Sequence, residues 1–386
     1  MDLMHCMYCR MSKVIIKFIQ SQRQAMVSNA RLQPPGRPSR AYVGCRTTCE
    51  RNARGRGIEV YEIDGDGRWT HARTVVAGDN PSYLAIDSGG RCLHAVHGDG
   101  STISSFAISP DGGLRPIGSR GTQGRNPVHL VFSPDGHWVL VVNYATGSVV
   151  SLPVLDDGSL GEVAHCLALP ERMGPHRSQQ RGSHPHQLVF DPSGRWLLVP
   201  DKGADAVHTL AFDEASGSLS LVVSLDVAPG SGPRHLVLSP EGRHAWIVLE
   251  LSSQVLAAGF DAVTGRLAPF QHVPTVPEDF TEENTAAGIV HLAQRNLLFI
   301  SNRGHGSVLR LAIDGRHGTL SAPSWTATHG RVPRFIAALP GSSMLLAANE
   351  DADTIVALHC REAHALAQAI AQTGSPVCIA FTRGTP

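Results

Sequence analysis

Six segments of this chain open in the same way, with a residue-proline step that leads into an apolar run: Asn80-Pro81, Asn126-Pro127, His184-Pro185, Gly232-Pro233, Val332-Pro333 and Ser375-Pro376. A seventh segment without proline, Ala286-Ala287-Gly288-Ile289-Val290, falls between the fourth and fifth of them. Repetition at a spacing of roughly 45 to 60 residues points to a closed ring or a solenoid of like units, not to one layered sheet.

One unit shows what is repeated. Asn126-Pro127 is followed by Val128-His129-Leu130-Val131-Phe132, by the turn Ser133-Pro134-Asp135-Gly136, and by Trp138-Val139-Leu140-Val141-Val142-Asn143. Proline second in the turn and glycine at its close match a type I-like reversal, and strands apolar on nearly every residue are buried on both faces. The same punctuation returns at Asp191-Pro192-Ser193-Gly194 and Ser239-Pro240-Glu241-Gly242. A third strand follows in each unit, and a fourth after a turn rich in Asp and Gly. Four short antiparallel strands without intervening helical pattern describe a blade of a β-propeller. Proline at a strand's first residue costs the ladder nothing, because that position need not donate.

The chain ends predict how the ring closes. The last first strand, Val377 to Phe381, has nothing after it to complete a unit, while Ala41 to Gly44, Ile58 to Ile63 and Trp69 to Val76 supply second, third and fourth strands with no first. Joined, they make a seventh blade and remove the open edge. The expected fold is therefore all-β: a seven-bladed propeller over residues 41–386, closed by N- and C-terminal strands that share one blade.

Residues 1–40 do not fit the repeat. They hold five of the seven methionines and seven Lys/Arg against one acid, and Leu32 to Pro38 has the composition of a disordered lead-in. The apolar run Val14 to Ile19 is broken by Lys17 and too short to span a bilayer, so a translation start placed too far upstream is favoured over export. Cys6 and Cys9 have CxxC spacing but no second pair or histidine cluster to complete a metal site. The other six cysteines are scattered, which fits free thiols in a reducing, cytoplasmic compartment. Beyond residue 40 the balance is 26 basic to 32 acidic residues, which does not advertise a nucleic-acid or membrane partner. A monomer or weak homo-oligomer is expected.

Strand direction selects where chemistry can sit. The start of each first strand and the end of each second share one face and line the channel mouth. The starts carry Asn80, Asn126, His184 with His186, Arg234 with His235, and Arg334; the ends carry His97, Asn143 with Tyr144, Asp201, Glu250, Arg303 and Glu350. So many ionisable groups on apolar strands imply a wet, polar funnel. Structural ties between blades would use the same residue types, so a binding propeller without catalysis stays open beside an enzyme.

The segments Ser183-His184-Pro185-His186, Gly230-Ser231-Gly232-Pro233-Arg234-His235, Glu250-Leu251, Ser301-Asn302-Arg303-Gly304 and Val332-Pro333-Arg334-Phe335 resemble the seven-bladed lactonase family. That family includes the propeller-type 6-phosphogluconolactonase and the carboxymuconate-lactonizing enzyme, and the resemblance runs from about Ala41 to Phe381. It implies an active site of His186, Arg234, Glu250 and Arg303. His186 would be general base and proton shuttle, Glu250 its orienter or the acid/base itself, and the two arginines would hold an oxyanion or an anionic group. Arg181 stands where family members place an arginine before the histidine pair, as a substrate contact. Asn143, Asp201, Arg334, His184 and His235 join it, although the two histidines alternate faces with the favoured residues and read more readily as ties between blades. Two departures stand out: Gly288 where the family often has an acid, and Lys202 where Asp-Leu-Gly is usual. The implied activity is hydrolysis of a sugar-acid lactone, with 6-phosphogluconolactone as candidate, needing no cofactor and no metal. A muconolactone cycloisomerase is the near alternative; a metal-dependent lactonase would need an acid-rich cluster where this chain has arginines.

Overall fold

The computed structural model describes residues 39–359 and 367–382. The expected lead-in over residues 1–38, with Cys6 and Cys9, lies outside the described residues. From Arg40 the chain forms seven four-stranded antiparallel sheets, and each runs in chain order from its innermost strand outward except the closing one. There the order is Pro376–Phe381, Arg40–Cys45, Ile58–Ile63, Trp69–Val75, so the two chain ends share a blade as the strand count predicts. Blades 1 to 6 begin at Pro81, Pro127, Val189, Pro233, Ala286 and Pro333, and the closing sheet is blade 7.

Seven apolar clusters hold the ring, one between each pair of neighbouring blades. The second strand of blade 3, Trp196–Asp201, shows why its sequence is apolar throughout. Leu197 and Val199 pack toward blade 2, while Trp196 and Leu198 pack toward blade 4. A strand alternates its side chains, so one wedged between two blades needs both sets apolar. Gly44 is a matching device at the closure: a Cβ there would stand 2.3 Å from the carbonyl oxygen of Pro81 in blade 1.

Polar ties recur at the rim. The indole Nε1 of Trp138 donates to Glu214 O at 2.8 Å, that of Trp196 to Ala262 O at 2.9 Å and that of Trp246 to Gly318 O at 3.0 Å, each reaching the outer turn of the next blade. Trp246 is 1% exposed and central to the cluster between blades 4 and 5. Trp246→Ala is expected to cost about 3–5 kcal/mol, whereas Trp246→Phe, which keeps the ring but loses the bond, should cost about 1 kcal/mol. Denaturant midpoints of the two variants check this, and equal losses would remove the packing account.

Candidate functional site

A backbone device repeated in all seven blades builds the channel mouth. The residue after the second strand donates its N–H to the carbonyl of the residue that precedes the first-strand step: Gly98 to Asn80, Tyr144 to Asn126, Lys202 to His184, Glu250 to Gly232, Arg303 to Thr285, Glu350 to Val332 and Arg46 to Ser375, at 2.8 to 3.1 Å. In five blades the accepting residue, Asn80, Asn126, Gly232, Val332 or Ser375, is left-handed with φ of 44 to 63°. The next residue, usually proline, pairs with the end of the second strand, and the one after it is skipped by the ladder. Pro81 faces His97 and Tyr83 faces Val96, which leaves Ser82 out; Val128, Arg234, Arg334 and Val377 are left out in the same manner. A bulge of this kind re-aims one side chain without breaking the sheet. Two residues per blade are thus presented to the hub.

In blade 3 the bulge is wider. Pro185 forms an isolated bridge to Asp201, and the regular strand shrinks to Val189–Phe190. His186 lies in that gap, while the next side chain, Gln187, accepts a bond from the Leu236 N–H of blade 4 at 2.7 Å.

The two rings enclose a cavity of about 270 Å³ bordered by Arg46, Tyr144, His186, Lys202, Glu250, Arg303 and Arg334 among others. Glu250, 3% exposed, is its electrostatic centre. Its Oε1 meets Lys202 Nζ at 2.8 Å and Arg303 Nη2 at 2.9 Å, and its Oε2 meets Arg234 Nε at 3.0 Å. Burial alone would raise this carboxyl, but Arg303, Lys202 and Arg234 together outweigh it and hold the group well below the usual carboxylate range. The arginines are fixed a second time by carbonyls: Arg234 Nη1 donates to Ala287 O at 2.7 Å and Arg303 Nη2 to Ala286 O at 3.2 Å.

His186 is 8% exposed and no hydrogen bond reaches its Nδ1. Burial first, and then the charge of Arg234, depress its pKa well below the ordinary imidazole value. Its ring stands edge-on to Tyr144 at 5.7 Å and to His235 at 5.1 Å. Burial raises the Tyr144 hydroxyl to about 12, so it stays a donor.

The four residues of the implied active site therefore meet at one mouth, with Arg234 behind the cavity wall and the other three on it. Arg334 also borders the cavity. The remaining expected contacts sit elsewhere. Asn143 is fully buried and donates to Thr122 O at 2.9 Å and Ser148 Oγ at 3.1 Å; Asn302 and Asn349 repeat that arrangement in blades 5 and 6. Asp201 accepts from the N–H groups of His184, Gly203 and Ala204 and from Ser183 Oγ, and Asp205 accepts from Gly230 and Gly232. Both carboxylates brace the loops that carry the site. His184 stacks on Tyr144 at 4.6 Å and its Nδ1 bonds the Tyr144 carbonyl, which links blades 2 and 3. His235 lies below the cavity between His186 and His129, where burial again disfavours protonation. Arg181 is exposed and turned to Arg177 O; from its loop it is Gln179 that reaches Lys202 Nζ.

Sequence reasoning passed over Lys202 and Arg46. Lys202 stands one residue past the strand end that was picked, and counting as for Glu250 or Arg303 would have found it. Arg46 holds the same position in blade 7, where the break between chain ends hides the repeat.

Glu250→Gln would leave three buried cations facing a neutral amide, an expected loss of about 3–5 kcal/mol. A carboxyl with a depressed native pKa contributes stability that is present above its unfolded pKa, about 4.5, and lost as pH falls toward the native value. Stability of the wild type should accordingly decline below about pH 5, and this decline should flatten in Glu250→Gln. Asn143→Ala should lower stability by about 1–3 kcal/mol while leaving ligand affinity at the mouth unchanged. Urea titrations across pH read both effects.

Residues 40–381 match the family described as lactonase, 7-bladed beta-propeller. The chain is 28% identical over 338 residues to a 6-phosphogluconolactonase of Bacillus subtilis, covering 84% of this chain and 94% of that one. A 6-phosphogluconolactonase of Formosa agariphila is 26% identical over 317 residues, covering 78% and 88%. Among solved structures, the periplasmic gluconolactonase of Pseudomonas aeruginosa superposes with a TM-score of 0.80 at 29% identity, covering 89% of this chain and 98% of that one. With the fold, the closing blade and the match over nearly all described residues in agreement, the chain belongs to the seven-bladed β-propeller lactonase family.

Proposed function

We propose that the protein hydrolyses the ring ester of a sugar-acid lactone, with 6-phosphogluconolactone opened to 6-phosphogluconate as the substrate. The observation that carries this reading is the imidazole of His186, which resists protonation, keeps a buried Nδ1 without a hydrogen-bond partner and borders the same small cavity as Lys202 and Arg303. Relatives named 6-phosphogluconolactonase and gluconolactonase support the reaction class.

Opening a lactone needs a proton taken from water, charge held on the carbonyl oxygen and a proton returned to the departing alkoxide. His186 takes the water proton as the oxygen attacks the carbonyl carbon, and gives it to the ring oxygen as the C–O bond breaks. Arg303 and Lys202 stabilise the oxyanion, and Tyr144 supplies a neutral donor. Glu250 is poorly suited to be the base, because its lone pairs serve three cations and its carboxyl is held ionised. Its role is to position Lys202, Arg234 and Arg303. Arg234 disfavours the imidazolium of His186 in the free enzyme, and negative charge growing on the substrate offsets that penalty during the transfer.

We place the protein in the cytoplasm on the ground that the cysteines of the described residues, Cys45, Cys49, Cys92, Cys166 and Cys378, are free. No helix among the described residues is long and apolar enough to cross a membrane.

Ring opening followed in EDTA, with the spontaneous rate subtracted, tests the proposal. His186→Ala should lower kcat/KM by about 10²–10⁴-fold. With a native pKa below the ordinary value, His186 stays unprotonated through neutrality, so kcat/KM should hold level from about pH 8 to about pH 6 and fall only below that. An acid limb centred at or above the ordinary imidazole pKa, or a fully active His186→Ala, would remove His186 as the base.

A further inference from the structure

Two groups of cations border the mouth, and their bonding differs. Arg234 Nε and Arg303 Nη2 form close ion pairs with Glu250 at 3.0 and 2.9 Å, although Arg234 Nε is not aligned for a hydrogen bond, and both side chains donate other N–H groups to backbone carbonyls. Across the ring, Arg46 of blade 7 and Arg334 of the blade 6 bulge lack such partners. Arg46 is 4% exposed, yet neither its Nε nor its Nη1 makes a hydrogen bond. The nearest carboxylate oxygens, Glu350 Oε1 and Asp99 Oδ2, each stand at 3.7 Å. Arg334 Nη1 is 3.6 Å from Glu350 Oε2, so one carboxylate serves both guanidinium groups at a distance. Asp99 is already gripped by Arg51 through two N–H groups, at 2.7 Å on the Nε side.

Buried donors without acceptors are costly, and two guanidinium groups sharing one acid repel. Burial, and then the charge of Arg334, bring Arg46 down to about 10. The chain also makes room for the Arg46 side chain itself. Where other blades send a side chain, blade 1 has Gly98, and a Cβ there would stand 2.5 Å from Arg46 Nη1 and 2.8 Å from Ser82 Oγ. Ser82 Oγ is itself buried and unpartnered.

We propose that Arg46 and Arg334, with Arg51 at the rim, form an anion subsite for a phosphate monoester or carboxylate that the lactone carries away from its ring carbonyl, which lies over His186, Lys202 and Arg303. Forked, planar donors match such groups, and an oxyanion in the cavity that Arg46, Arg51 and Arg334 border would give these guanidinium groups a closer acceptor than Glu350 does. The proposal rests on the lactone-hydrolase reading of the same mouth and fixes which end of the substrate faces which blades.

The test compares kcat/KM for one δ-lactone without a second charge, with a 6-phosphate and with a 6-carboxylate, in wild type, Arg46→Gln and Arg334→Gln. Wild type should prefer a charged lactone at least about tenfold, each variant should shrink that preference about tenfold through a higher KM, and the better of the two charged lactones identifies the group. Inorganic phosphate, as an independent probe, should raise the wild-type Tm and compete with substrate, and both effects should fade in the variants. Equal use of neutral and charged lactones by wild type, or an undiminished preference in both variants, overturns the subsite while leaving lactone hydrolysis in place. If no lactone is opened, the activity falls and the phosphate-induced Tm shift, present in wild type and lost in the variants, decides the subsite alone. Should Arg46→Gln fail to fold by circular dichroism, the half-buried Arg334 carries the comparison.

Discussion

One hydrogen bond, made seven times, organises this molecule: the N–H of the residue leaving each second strand to the carbonyl ahead of each first strand. It locks a bulge into the inner corner of the blade, with a left-handed residue ahead of it in five of the seven, and so sends two side chains per blade to the hub. The conformation is not free. Val332, a β-branched residue held at φ 58°, carries backbone strain of about 1–3 kcal/mol that the surrounding ladder sustains. Because the device is made of backbone, the identity of the presented side chains is free to vary, and chemistry can be written on the hub without disturbing the blades.

What is written there is an electrostatic problem with an asymmetric solution. The blades are apolar wedges, so charges on the hub have few partners except one another. On the side of blades 3 to 5, a single carboxylate, Glu250, pairs with Lys202, Arg234 and Arg303 at 2.8 to 3.0 Å. On the side of blades 6 and 7, Glu350 lies between Arg46 and Arg334 too far away to satisfy either. Between these poles stands the imidazole of His186, next to further histidines whose protonation burial disfavours, with His129 driven down to about 3. An imidazole that resists protonation, flanked by held cations, suits the proposed reaction, which makes an anion from an uncharged carbonyl.

Much of this was legible in the residues. The apolar strands, the Ser-Pro-Asp-Gly type of turn and the orphan strands at the two ends imply seven blades and their closure, since a strand buried on both faces has to be apolar throughout and an unclosed ring exposes an edge. Strand direction also placed His186, Arg234, Glu250, Arg303 and Arg334 on one face. It did not resolve the difference between adjacent positions. Asn143 and Asp201 end their strands and turn inward to backbone, while Tyr144 and Lys202, one residue on, face the cavity. The bulge makes that difference, and a bulge is set by which carbonyl each N–H finds.

The sequence by itself determined the ring, its closure and the set of residue types at the hub, because periodicity and burial are properties of the chain's pattern. Only the tertiary structure decided how those charges are shared. Whether Glu250 neutralises three cations while Arg46 goes without an acceptor depends on distances of an ångström or less between residues far apart in the chain, and no local pattern encodes such distances. For the same reason Arg181, close to the site along the chain, turns away to Arg177, while Arg46, from the opposite end of the fold, reaches it.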